Sequence, residues 1–321
     1  MEIALVIVAG LFAVFCGLND GGTLLVTSLK LTSLRPISVV LILAAMVVVV
    51  PVLLGTGVAT TLAGRLVSFQ DAGGRMALLV AVIAACSVVM ILATRGVPTS
   101  LTVALIGGIV GAGLGGRLPI AWSWVAAVML VAAVAPLIAM VAAFAVVHLW
   151  AWSPLPGGVE RQVRHAHRLG VAAQAVAYGS NDGQKMLAVF TLALPTAGVT
   201  GNRITVTPWV LSATGVLFCA GTLAGARRYG VRLGTGVLPL TPVHAATAQL
   251  SSAVVVAGSA AIGAPVSMTQ AITGALVGSG LRHGTGRIRW RHVLGIVAAW
   301  LLTLPLTGFL SAAAMAVVLR T

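Results

Sequence analysis

Apolar stretches of about 20 residues, broken by short polar or glycine-rich intervals, run through nearly the whole of this chain of 321 residues. Ten such segments are legible, at 1–29, 36–63, 76–94, 98–115, 120–149, 169–195, 207–226, 234–260, 265–281 and 292–319. A helix of that length crosses a hydrocarbon core of about 30 Å, and in that layer the backbone must satisfy its own hydrogen bonds. The pattern therefore predicts an all-α polytopic membrane protein. A membrane barrel would instead show shorter alternating segments.

The polar exceptions inside these stretches repeat. Asn-Asp-Gly occurs as Asn19-Asp20-Gly21 and again as Asn181-Asp182-Gly183, although the chain has only 5 acidic residues. Pro98-Thr99-Ser100-Leu101-Thr102 is echoed by Pro265-Val266-Ser267-Met268-Thr269. Asn19 and Asn181 lie 162 residues apart and Pro98 and Pro265 lie 167 apart, so both motifs recur in the same order at nearly the same spacing. The sequence thus divides into a first transmembrane repeat at 1–150, a basic cytoplasmic linker at 151–168 and a second repeat at 169–321. Five segments per repeat is an odd number, so the second repeat runs inverted relative to the first. Inverted repeats with Gly- or Pro-interrupted segments at matching places point to a secondary transporter with a midplane site.

Composition agrees with the membrane reading, with 59% hydrophobic and 7% charged residues against roughly 25% charged in a soluble domain. The formal charge of +14 resides in loops between apolar segments without aromatic interleaving. Such loops are what the positive-inside rule produces, and they argue against nucleic acid as a partner. Placing the linker in the cytoplasm puts most of the 19 basic residues on that side and both termini outside. Trp122, Trp124, Trp150, Trp152, Trp209 and Trp290 fall near segment ends, as an interfacial belt requires. Cys16, Cys86 and Cys219 stand singly in apolar runs and read as small core residues.

An Asp within a span is costly and marks a functional site by default. Asn-Asp-Gly is expected to interrupt its span and to start a half-helix at Gly22 and at Gln184. Pro98 and Pro265 suit first helical turns, with hydroxyls just inside, and helix N-termini bind oxyanions. Two carboxylates and an anion cannot share a desolvated pocket without cations or protons. A Na⁺ or H⁺ bound at Asp20 and Asp182, with Asn19 and Asn181, would therefore link ion and anion binding. The oxygen ligands suit hard cations, and no cofactor or transition metal is expected. Lys185 reads equally as an anion ligand or as the ion-pair partner of Asp182. His244 reads first as a satisfied core histidine and second as part of a proton path, whereas His165, His167, His283 and His292 are expected to face water or headgroups. The Gly107 to Gly111 and Gly274 to Gly278 spacings suggest close helix packing.

At Gly17-Leu18-Asn19-Asp20-Gly21-Gly22-Thr23, and more closely at Gly179-Ser180-Asn181-Asp182-Gly183-Gln184-Lys185, the chain resembles the PiT family of inorganic phosphate transporters. Leu240-Thr241-Pro242, Gln249-Leu250-Ser251, Gly263-Ala264-Pro265-Val266-Ser267 and the run from Trp290 to Pro305 extend the likeness, which covers essentially the whole chain. The family's second Asn is Thr23 here, its middle Thr is Leu101 and Met268, and its His is Val103 and Gln270. The resemblance implies phosphate import across the cytoplasmic membrane by alternating access, coupled to Na⁺ or H⁺, with a homodimer in the lipid bilayer. It implies substrate contacts from Asn19, Asp20, Ser100, Thr102, Asn181, Asp182, Gln184, Ser267 and Thr269. Thr23 and Gln184, taken as corresponding positions of the two repeats, are given supporting roles. Sulfate is the alternative substrate, since some family members carry it. A passive anion channel and a membrane-embedded enzyme using the two aspartates are the readings from other classes.

Overall fold

The computed structural model describes residues 1–29, 34–67, 69, 72–94, 99–152, 159–194, 199–200, 203–204, 207–226 and 237–320. Lys30, Asp71, Arg95, Pro98, Pro154 and Arg227 lie outside the described residues. The elements are α1 (Glu2–Cys16), α2 (Gly22–Ser28), α3 (Pro36–Leu54), α4 (Gly57–Thr60), α5 (Ala72–Thr94), α6 (Leu101–Gly115), α7 (Trp122–Trp152), α8 (Val159–Tyr178), α9 (Gln184–Ala193), α10 (Pro208–Ala226), α11 (Pro242–Ala261), α12 (Met268–Leu281) and α13 (Trp290–Val318). One two-residue antiparallel pair, β1 (Val199–Thr200) with β2 (Arg203–Ile204), stands between α9 and α10.

The expected break at Asn-Asp-Gly takes another form. Gly17–Gly21 and Gly179–Gly183 are single π-helical turns inside otherwise continuous helices. The residues flanking each turn, Cys16 with Gly22 and Tyr178 with Gln184, all hold right-handed helical dihedrals. Neither Gly22 nor Gln184 therefore offers a free helix start. A π-turn inserts a residue without ending the helix, and the first glycine of each lets another backbone approach. A Cβ on Gly17 would lie 2.2 Å from the Phe218 carbonyl oxygen, and one on Gly179 would lie 2.3 Å from that of Met46. Each turn is thus gripped by the second long helix of the opposite repeat.

True interruptions precede α6 and α12. These helices have 15 and 14 residues and reach about 22 Å, short of the hydrocarbon thickness. Each begins beside the partner motif and returns to the face from which the preceding helix started. Ala121 N–H bonds the Leu66 carbonyl at 3.0 Å, and Arg289 N–H bonds that of Val237 at 2.9 Å. Because α5 with α6, and α11 with α12, end where they began, each repeat keeps an odd number of net crossings whether or not these short helices span fully. The inversion of the halves therefore survives.

One face carries Glu2 with Arg75, paired at 3.5 Å, and the Leu66–Ala121 contact. The other carries Ser28 against His167 and Arg282 bonded to the Val147 carbonyl. Residues 159–168, assigned to the linker, are the first half of α8. His167 is correspondingly buried, against the expectation that it faces water, while His165, His283 and His292 are exposed.

The repeats interlock rather than sit side by side. α6 packs on α13 and α12 on α7, so each short helix is held by the last long helix of the other repeat. The glycine spacing makes this contact. Gly107, Gly111 and Gly115 face Leu304, Gly308 and Ala312, while Gly274 and Gly278 face Pro136 and Met140. Large apolar residues such as Leu41, Leu130, Leu301 and Phe309 point outward, as in a protein whose solvent is lipid. Among the described residues six helices are long and apolar enough to span, and the molecule is a multi-pass membrane protein. Trp122, Trp124, Trp209 and Trp290 are exposed at the starts of helices, and the three cysteines are free.

Candidate functional site

The two Asn-Asp-Gly π-turns and the starts of α6 and α12 meet at the centre. The N-terminus of α6 is capped by Ser100, whose hydroxyl accepts the Val103 N–H at 3.2 Å. Ser267 occupies the equivalent place on α12 and its hydroxyl lies 2.8 Å from that of Thr269. Thr102, in the first turn of α6, donates to the Val266 carbonyl at 3.3 Å. The starts of α6 and α12, one from each repeat, are thereby joined tip to tip. First-turn amides lack intrahelical acceptors, so two positive helix ends converge.

The Asn-Asp pairs flank this junction in unlike ways. Asn19 bonds the neighbouring Asp20 carboxylate at 2.8 Å and approaches the Thr99 carbonyl at 3.5 Å. Asn181 spends its whole amide on the other tip. Its Nδ2 donates to Ser259 at 3.2 Å and to the Ala264 carbonyl at 3.1 Å, and its Oδ1 accepts the Val266 N–H at 3.1 Å. Asn181 therefore positions the entry to α12. Asp20 and Asp182 are both buried and near enough to interact electrostatically. Tyr178 is buried with its hydroxyl directed at Asp20, outside good hydrogen-bond geometry.

Lys185 decides the charge of the second repeat. Its ammonium donates to Asp182 Oδ1 at 2.7 Å, to Thr102 at 2.6 Å and to the Val266 carbonyl. Only 3% of either side chain in this ion pair is exposed. Three oxygens around a fixed positive charge are a donor set that suits a small hard cation. Counting 162 residues back from Lys185 reaches Thr23, so Lys185, rather than Gln184, corresponds to Thr23. The Thr23 hydroxyl bonds the Asn19 carbonyl within its own helix at 3.1 Å and carries no charge. Asp182 thus has a resident cation, and among the described residues Asp20 has no ion-pair partner.

Gln184, expected at the substrate, has its amide bonded to backbone of the first repeat. Its Oε1 accepts the Val58 and Ala59 N–H groups at 2.8 and 3.2 Å, and its Nε2 donates to the Gly55 carbonyl at 2.8 Å. It caps α4 across the repeat boundary. Of the replaced family positions, Leu101 and Met268 are buried at the helix starts. Val103 and Gln270 both line a cavity of about 440 Å³ between α7, α12 and α13, whose other walls are mostly apolar and include Trp290 and Trp300. His244 lies at the first turn of α11, edge-on to His283 at 5.4 Å, with the Pro239 backbone beside its ring. Fifteen residues of helix separate it from Ser259, which places it about 22 Å from the central cluster.

Sequence reasoning named Asn19, Asp20, Ser100, Thr102, Asn181, Asp182, Ser267 and Thr269, and the structure gathers all of these at one place. It missed Ser259, Tyr178 and the Val266 carbonyl. Ser259 had a legible signal, a hydroxyl on the inward stripe of an apolar helix, while a main-chain carbonyl has none.

A family model described as the Phosphate transporter family matches residues 16–168 and again 153–311. A probable low-affinity inorganic phosphate transporter of Mycobacterium tuberculosis strain H37Rv is 34% identical over 305 residues, 92% of this chain and 72% of that one. One from Bacillus subtilis is 28% identical over 320 residues, covering 98% of this chain and 96% of the relative. Among solved structures, "The sodium-dependent phosphate transporter" superposes with a TM-score of 0.84 at 18% identity, covering 99% of this chain and 98% of that chain. Two matches of one family model, each holding one Asn-Asp signature, reproduce the internal duplication seen in the fold, and the chain belongs to the phosphate transporter family.

Proposed function

We propose that this protein imports inorganic phosphate across the cytoplasmic membrane by alternating access, driven by an ion gradient, with its repeats at 1–150 and 169–321. The observation that carries this reading is the tip-to-tip meeting of the α6 and α12 N-termini beside two buried Asn-Asp pairs. Helix-end amides with Ser100, Ser267 and Thr269 supply donors for a tetrahedral oxyanion, and Thr102 joins them when its hydroxyl turns from the Val266 carbonyl to the anion. The relatives' names favour phosphate over sulfate. The face bearing Arg35, Arg161, Arg168, Arg282, Arg287 and Arg291 is the cytoplasmic one by the positive-inside rule, which leaves both termini outside.

The coupling cation, Na⁺ or H⁺, binds at Asp20 with Asn19. Asp182 is already neutralised by Lys185, so a second mobile cation there would meet a like charge. With Asp20 empty, its carboxylate repels the incoming anion. With a cation in place the repulsion vanishes, so each ligand strengthens binding of the other. The test is labelled phosphate uptake into proteoliposomes under an imposed Na⁺ or H⁺ gradient, with sulfate as competitor. Accumulation driven by one gradient and lost in Asp20→Asn supports the assignment. Equilibration without accumulation would make the protein a channel, and sulfate accumulation without phosphate would replace the substrate.

A further inference from the structure

His167 and Gln174 on α8 and Asn181 in the π-turn that continues it recur every seven residues, and α8 packs along α11. Gln174 donates to Ser252 at 3.3 Å and Asn181 to Ser259 at 3.2 Å, both pairs separated by 78 residues, so the two helices run parallel and in register. Below these rungs Gln249 lies beside His167 and Gly170, where a Cβ would come within 3.0 Å of its amide oxygen. The ladder starts at the central site and ends, about 21 Å away, where Arg161 and Arg168 are exposed on α8.

Hydroxyls and amides between membrane helices are often packing glue, and glue is satisfied. Here it is not. Gln174 Oε1 is buried without a partner among the described residues, and His167 Nδ1 and the Gln249 amide, buried side by side, have only each other and sit outside good hydrogen-bond geometry. Buried polar groups of this kind require water. The first repeat shows the contrast. Moving back 162 residues places Leu5 and Phe12 where His167 and Gln174 stand, and both are buried in apolar core. The buried face of α5, the counterpart of α11, presents Leu78, Ala81, Val82, Ala85 and Val89.

We infer that the α8–α11 seam is the aqueous route by which the oxyanion leaves the site toward the basic face, and that the matching α1–α5 seam is sealed. Amide and hydroxyl groups can replace water around the anion as it moves, and the positive mouth lowers its potential on the way out. The inference rests on the transport reading of the site.

Thiol labelling tests it without requiring any substrate. In a variant with Cys16, Cys86 and Cys219 replaced by Ala, Gln174→Cys is expected to react with an impermeant anionic methanethiosulfonate from the basic face at least tenfold faster than from the other. Phe12→Cys should stay unlabelled from both. Relative to His165→Cys on the exposed side of α8, position 174 should favour the anionic reagent over a cationic one. A Gln174→Cys as inert as Phe12→Cys, while His165→Cys labels, would overturn the seam. Preference for the cationic reagent would overturn the anion assignment. Correct labelling in a protein that fails to move phosphate would keep the seam and remove the substrate. As a second readout, Gln174→Leu should lower the maximal uptake rate at least fivefold with phosphate affinity unchanged. Unaltered uptake would count against the route.

Discussion

Taking away the Lys185 ammonium would leave Asp182 buried, with one oxygen already unpartnered. Breaking a buried pair on one side costs about 3–5 kcal/mol, whereas removing both charges costs much less. Lys185→Met and Asp182→Asn should therefore each lower the melting temperature in detergent, and the double variant should lose clearly less than their sum. Additive losses would mean that the pair is not coupled. Asp20→Asn removes a carboxylate that has no cation, so its stability should be held or raised while concentrative uptake is lost. Gln184→Ala should destabilise by about 1–3 kcal/mol, because two N–H groups and a carbonyl of the 55–59 segment lose their partner. Its phosphate affinity, read by equilibrium binding, should stay near wild type, which separates a cap from a substrate ligand.

Helices approach here through glycine. A Cβ on Gly278 would lie 1.9 Å from the Met140 carbonyl oxygen, while one on Gly295 meets nothing within 4 Å. Gly278→Ala must push α12 away from α7 and should lower the melting temperature by several degrees. Gly295→Ala should leave it unchanged or raise it, since Ala is favoured over Gly in a helix by about 1 kcal/mol. Equal behaviour of the two would remove close packing as the reason for the glycine spacing. At this scale the sequence showed which segments are helices but misjudged how Asn-Asp-Gly is used. Asn, Asp and Gly favour caps when water competes for the backbone. Within a membrane the helix is kept, and the local signal is absorbed as a π-turn.

Across the whole molecule, each short helix depends on a long helix of the other repeat. Residues 1–152 and 159–321 expressed separately should each be degraded or aggregate, and co-expressed they should copurify with uptake restored. A half that is monodisperse alone would show that the repeats fold independently.

The duplication, the membrane class and the gathering of Asn19, Asp20, Asn181 and Asp182 with the Ser and Thr hydroxyls were determined by sequence alone. Hydrophobic period and intramembrane polarity are local properties, and a repeat at constant spacing implies a shared site. Tertiary structure alone decided that Gln184 caps α4, that Asn181 holds the α12 entry and that His167 is buried, while for Lys185 it chose between two readings the sequence had already offered. The first three roles depend on which backbone groups arrive from residues about 80 to 140 positions away. A side chain's partner is set by the packing of whole helices, a long-range outcome that no window of sequence contains.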